Sequence, residues 1–204
     1  HPDGVATRAT GLLVPVVSYN ANLGFGFAVP YLWSIAPDKD LTVTPWIYTA
    51  VNPALGFEYR QLFAQGPMQF SGLITYADRS ILAPDNVTRI SLGDEFRGYF
   101  AANGQFQHNA NWRTTFSARY ATDDTFTRRY DISLDDTLRS TFNVERFGSD
   151  SYLSIEGWAF QGLAVGDSFG ASPVVLPLIN YLWNPEQSVL GGTLAVNANS
   201  LVIT

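Results

Sequence analysis

Hydrophobic and polar residues alternate with a period of two along most of this chain. From Trp112 to Ala121 the even positions are Trp112, Thr114, Phe116, Ala118 and Tyr120, and the odd ones are Arg113, Thr115, Ser117, Arg119 and Ala121. Successive strand side chains point to opposite faces. One face of this strand is therefore apolar with an aromatic at each end, and the other is cationic and hydroxylic. The pattern recurs. Leu55, Phe57 and Tyr59 alternate with Gly56, Glu58 and Arg60; Leu138, Phe142 and Val144 stand against Arg139, Thr141, Asn143 and Glu145. Met68, Phe70, Ile74 and Tyr76 stand against Gln69, Ser71 and Thr75, and Leu153, Ile155 and Ala159 against Ser154 and Glu156.

Turn residues punctuate these runs: Asn20-Ala21-Asn22, Pro37-Asp38-Lys39-Asp40, Asn52-Pro53, Gln65-Gly66-Pro67, Asn109-Ala110-Asn111, Asp123-Asp124 and Gly148-Ser149-Asp150. The spacing predicts about twelve strands of roughly 9–12 residues and no helix. Ten residues at about 3.3 Å rise, tilted about 45°, span about 23 Å, close to the apolar band of an outer-membrane barrel. Strands of soluble sandwiches are usually shorter, about 5–6 residues. Arg79 to Glu95, centred on Pro84, Asp85 and Asn86, is the one irregular stretch and is expected to be a long outer loop, with room for a short strand after Asn86. The fold expected is all-β, an antiparallel up-and-down transmembrane β-barrel segment of about 10–12 strands, with residues 1–204 forming one partial barrel domain.

Composition sharpens this. Hydrophobic residues make up 46% of the 204, aromatics 14% and charged residues only 15%, against about 25% charged in ordinary soluble domains. The remaining polarity comes from Ser, Thr, Asn, Gln and Gly, which suits a sheet with one lipid face and one watery face. The net charge is −6 and no basic cluster exists, so nucleic acid is not an expected partner. No stretch of about 18 apolar residues offers a membrane helix. Residues 1–10 are no signal peptide, so the expectation is a mature chain or an internal fragment.

Catalytic chemistry finds no constellation. The chain has no Cys and two His, which excludes Cys-ligated zinc and any disulfide within it. Asp123-Asp124, Asp135-Asp136 and Asp38-Lys39-Asp40 sit beside turns, where carboxylates cap backbone amides. There is no G-x-S-x-G and no phosphate loop. No enzyme activity, cofactor or metal is expected.

The first third of the chain carries a more specific pattern. It reads Gly11-Leu12-Leu13-Val14-Pro15, Gly24-Phe25-Gly26-Phe27, and Val29-Pro30-Tyr31-Leu32-Trp33-Ser34-Ile35-Ala36-Pro37. Asp40-Leu41-Thr42-Val43-Thr44-Pro45 and Phe57-Glu58-Tyr59-Arg60 follow. In order and spacing these resemble the first barrel strands of the LptD family, the lipopolysaccharide-assembly (organic solvent tolerance) proteins. Asp123-Asp124-Thr125-Phe126, Leu138-Arg139-Ser140, Phe160-Gln161-Gly162-Leu163 and Val175-Leu176-Pro177 continue the resemblance in family order.

The resemblance implies a lipopolysaccharide translocon in the outer membrane of a Gram-negative bacterium. It also implies a lipoprotein plug like LptE in the lumen. A periplasmic bridge protein like LptA would dock on an N-terminal jelly-roll domain, which the resemblance leads one to expect outside residues 1–204. The family's barrel is larger, so the chain is expected to be the first part of a longer barrel. Pro15 and Pro30, each inside an otherwise good strand, resemble the family's prolines that weaken a lateral gate; Pro45 and Pro177 receive no such role. Glu58, Arg60, Arg113, Arg119, Arg139 and Glu145 are expected to face the lumen, as internal ion pairs or as contacts for lipid phosphates. Two other readings stay open: a small outer-membrane diffusion porin or adhesin, and a soluble carbohydrate-binding β-sandwich.

Overall fold

The computed structural model describes residues 9–82, 88–163, 174–185 and 191–200. They form a single antiparallel sheet of thirteen strands with one short helix. In chain order the strands are β1 (Gly11–Leu12), β2 (Val16–Asn20), β3 (Gly24–Ala28), β4 (Tyr31–Ala36), β5 (Lys39–Tyr48), β6 (Ala54–Phe63) and β7 (Gly66–Leu82). Then come β8 (Arg89–Gln107), β9 (Trp112–Ala121), β10 (Thr137–Phe147), β11 (Ser151–Gly162), β12 (Val174–Trp183) and β13 (Val196–Ser200). The helix, α1 (Phe126–Arg129), lies between β9 and β10. From β4 onward each strand pairs with the next, and among the described residues β13 does not pair with β1, so the sheet is not closed. One sheet with sequential neighbours is an up-and-down barrel wall. Among the described residues there is no second sheet of the kind a sandwich would need.

The stretch expected to be a loop, Arg79 to Glu95, is mostly strand: a strand does follow Asn86, but it is long, and the strand before Pro84 lies outside that expectation. β7 runs to Leu82 and β8 begins at Arg89, with Arg79 and Glu95 paired across them at 3.6 Å. Pro84, Asp85 and Asn86 lie outside the described residues. Turn residues in a short window outweighed an alternation that non-local pairing sustains on both sides.

The contacts divide the chain into two compact units: His1–Gln61, Phe70–Phe100 and Ala121–Leu134; and Leu62–Gln69, Ala101–Tyr120 and Asp135–Thr204. In each, register sorts residues onto two faces, because residues directly opposite in an antiparallel pair share a face.

In the first unit Val17, Phe27 and Ile47 form one row across β2, β3 and β5. Leu12, Tyr31, Val43 and Phe57 form another across β1, β4, β5 and β6. These apolar rows are open: Val17 is 72% exposed, Ile47 63% and Tyr31 43%. The opposite face carries Ser34, Asp40 and Arg60 in one row and Ala28, Trp46 and Ala54 in another. In the second unit Phe116 lies opposite Phe142, and Thr114, Val144, Ile155 and Ile179 form a row. Arg113, Glu145, Ser154 and Asn180 line the other face.

Two close packings hold the apolar face together. The Phe57 ring lies over Gly72, and the Phe116 ring lies over Gly104, where a Cβ would collide with the ring. Each ring continues into an aromatic chain: Phe57 with Phe70 and Phe100 at 5.4 and 6.2 Å, and Phe116 with Phe106 at 6.2 Å. Glycine weakens a strand by exposing its backbone. A ring laid over it restores contact.

Candidate functional site

Lys39–Tyr48, β5, has β4 on one side and β6 on the other. It presents Asp40, Thr42, Trp46 and Tyr48 on the polar face by alternation. Asp40 accepts from Arg60 Nε at 2.9 Å, and Glu58 lies 3.3 Å from the same nitrogen. The two sequence-predicted residues Glu58 and Arg60 are thus brought together with an acid the sequence had assigned to a turn.

In the second unit Arg113 meets Glu145 with Nε and Nη2 at 2.8 and 2.6 Å, and its guanidinium lies 5.1 Å over the Phe147 ring. Tyr152 donates to the other Glu145 oxygen at 2.7 Å. Arg119 reaches Asp135 at 3.2 Å, and Arg139 stacks 5.6 Å over Trp158. The structure therefore pairs Arg113 with Glu145 and gives Arg119 and Arg139 separate neighbours.

The first unit also holds a cluster that alternation did not reveal. After β9 the chain leaves the sheet and folds back over the polar face as α1. Phe126 is fully buried and Tyr130 is 5% exposed, packed with Leu23 and Ala54 against Trp46, Tyr48, Leu73 and Tyr99. The two rings stack at 4.6 Å, one helical turn apart. A single turn is marginal in isolation because nucleation costs more than one turn returns; these contacts sustain it. Asp131 then takes φ 55° to end the turn, a conformation that Asp tolerates better than most residues. It accepts from Asn20 Nδ2 at 3.2 Å.

A buried ion pair anchors the loop. Arg97 on β8 donates from Nε and Nη2 to the two oxygens of Asp123 at 2.9 and 2.8 Å, and from Nη2 to Thr125 Oγ1 at 2.8 Å. Its Nη1 donates to the Asp78 carbonyl at 3.1 Å. Both charged side chains are 1% exposed. Burial alone pushes the Asp123 carboxyl upward, but hydrogen bonds and charge from Arg97, with further bonds from Thr125, hold it below the ordinary carboxylate range. Asp123 also caps the Thr125 amide at 3.0 Å, so the turn role and the ion pair coexist. The only sequence signal was Phe126 and Tyr130 in a loop beside an acid pair, with Arg97 on a strand 26 residues away.

Pro15 and Pro30 lie in breaks between strands rather than inside them. Pro15 separates β1 from β2, and Pro30 separates β3 from β4. Leu12 pairs with Tyr31 and Leu13 N–H bonds to the Pro30 carbonyl at 2.8 Å, but Val16 pairs with Ala28. Two residues, Val14 and Pro15, therefore stand opposite the single Val29, which is a β-bulge. Pro177 sits beside a second register slip, between Glu156 and Trp158 on β11 and their β12 partners. At such slips, as at Pro15 and Pro177, a missing N–H is withheld from no in-register partner.

Among the described residues no group of three or more His, Cys, Asp or Glu could hold a metal ion. A sheet with one exposed apolar face and charges paired on the other defines the class: the wall of a strand-built membrane barrel. The family model for LptD, LPS transport system D, matches residues 95–204. The LPS-assembly protein LptD of Actinobacillus pleuropneumoniae serotype 7 is 28% identical over 187 residues, covering 91% of this chain and 23% of that protein. The LptD of Nitrosococcus oceani is 29% identical over 127 residues, covering 62% and 16%. That of Acidovorax sp. strain JS42 is 46% identical over 55 residues, covering 27% and 7%. The chain belongs to the LptD family, and it spans about a quarter or less of the length of these relatives.

Proposed function

We propose that this chain is part of the wall of an outer-membrane barrel that passes lipopolysaccharide into the outer leaflet, in a Gram-negative bacterium. The observation that carries the reading is the two-faced sheet. Large apolar side chains such as Val17, Ile47 and Phe142 stand open on one side, while Arg60, Arg113 and Glu145 stand ion-paired on the other. In hydrocarbon the first face needs no partner, and the second would line a watery lumen. Glu58, Arg60, Arg113, Arg119, Arg139 and Glu145 are then lumen-facing. No covalent step is required of them. Family membership supports lipopolysaccharide as the cargo, with a plug lipoprotein like LptE and a bridge protein like LptA as partners of the whole protein.

The first two strand crossings, residues 11–20 and 24–36, are the wall of a lateral exit, weakened at Pro15 and Pro30. Bulges and missing donors shorten pairing, and in lipid an unpaired backbone group is costly, so such a gap is kept short and placed where it is useful. The test is the full-length protein carrying Pro15→Ala with Pro30→Ala. Surface lipopolysaccharide and resistance to large antibiotics should both fall at normal barrel levels. Normal surface lipid and a normal barrier would remove the exit role and leave two ordinary strand breaks.

A further inference from the structure

The strand crossing that contains Pro30 has two neighbours, and the ladder on its second side is broken at the same height. β3 pairs with β5 through Ala28 and Trp46, and β4 pairs with β5 from Tyr31 and Val43 onward. The register is the same on both sides of the gap, so Val29 falls opposite Pro45 and Pro30 opposite Thr44. Yet neither of these pairs is part of the ladder.

Backbone direction explains the gap. In an antiparallel ladder alternate residues turn both N–H and C=O toward one neighbour. Leu13 N–H bonds to Pro30 O at 2.8 Å, so residue 30 faces β1, and its missing N–H is the one that Leu13 O would accept. Thr49 N–H bonds to Phe25 O at 3.0 Å. Counting by twos, Val29 faces β5, and residue 45 faces Val29. Proline at 45 has no N–H to give. The Val29 carbonyl thus loses its ladder donor on one side at the height where Pro30 withholds one on the other. Pro15, by contrast, occupies the bulge and withholds nothing from an in-register partner.

We infer that Pro45 is a third member of the weakened seam, a positioning residue that frees Val29 and Pro30 from β5 so that the second crossing can move with the first. This rests on the lateral-exit reading. It differs in where the movable wall ends: β5, not the second crossing, is the first strand paired without a gap to its next neighbour, from Lys39 through Trp46 against β6.

The experiment uses full-length protein in bilayers, with Pro45→Ala and, separately, Pro45→Val, which restores the same donor on a strand-favouring residue. Hydrogen exchange at the new residue-45 amide should be protected by about two- to ten-fold over an unbonded amide, the worth of one net hydrogen bond. Surface lipopolysaccharide should fall in both variants at normal barrel levels, while Pro177→Ala, at the slip between β11 and β12, leaves it unchanged. An unprotected residue-45 amide overturns the inference, because no ladder donor was missing. A protected amide with normal surface lipid in both variants overturns it too, because closing the gap does not hinder movement. The Pro15→Ala with Pro30→Ala protein is run beside them: normal delivery there removes the exit itself, whereas normal delivery in the Pro45 variants alone removes only the third proline.

Discussion

On their polar faces the two units differ. In the first, a loop returns over the sheet, puts Phe126 and Tyr130 against Tyr48 and Ala54, and seals Arg97 and Asp123 from water. In the second, Arg113 and Glu145 pair in a geometry just as close, but the Arg113 side chain remains 36% exposed. On their apolar faces they agree, down to a phenylalanine ring over a glycine of the neighbouring strand. The apolar face answers to one constraint throughout, contact with hydrocarbon. The polar face has freedom, and the chain uses it to build a dry anchor in one place and a wet pair in another. Burial, not bond length, sets how much each pair matters, because a lone charge left in a dry site has nothing to solvate it.

That contrast can be broken most sharply at the anchor. Asp123→Ala leaves the Arg97 charge buried without its partner, and should cost about 3–5 kcal/mol in the unfolding of the full-length barrel. Thermal or denaturant unfolding in detergent measures it, and a loss below about 1 kcal/mol would mean water reaches Arg97. The same pair predicts an acid limit. Because the folded Asp123 is held below its ordinary range, its contribution is present above about pH 4, the range where an unfolded Asp titrates. It is lost as pH falls from there through the lower folded value. The wild-type barrel should therefore lose stability more steeply on acidification than the Asp123→Ala variant.

The next effect tests the agreement between units. Phe57→Arg and Phe116→Arg should each cost about 2–4 kcal/mol in bilayers if both sites lie near the midplane, and Thr115→Arg far less. Equal costs at Phe116 and Thr115 would undo the assignment of faces. A cost at Phe57 but not at Phe116 would confine the lipid face to the first unit.

The smallest effect is expected at the wet pair. Glu145→Gln removes a charge whose partner can turn to solvent, and should cost about 1 kcal/mol or less, shrinking further as salt is raised. A salt-independent loss of several kcal/mol would show that Arg113 and Glu145 are as dry as the anchor.

Alternation alone determined much of this protein. Trp112 to Ala121 and Leu55 to Arg60 announced their faces because side-chain direction along a strand is a local property of the backbone. The motifs around Pro15, Pro30 and Phe57 to Arg60 announced the family for the same reason: they are contiguous. The tertiary structure decided what depends on register and on distant partners. Asp123 read as a turn residue, and became half of a buried pair only because β8 sets Arg97 beside it. The helix after it is one turn long and gave no periodic signal; it exists because Trp46, Tyr48 and Leu73 wait under it. The proline seam was half legible. Pro30 stood out in a strand, but that Pro15 sits in a bulge and that Pro45 faces Val29 follows from how three strands align. Alignment between strands is set by pairing across the sheet, which no single stretch of sequence contains.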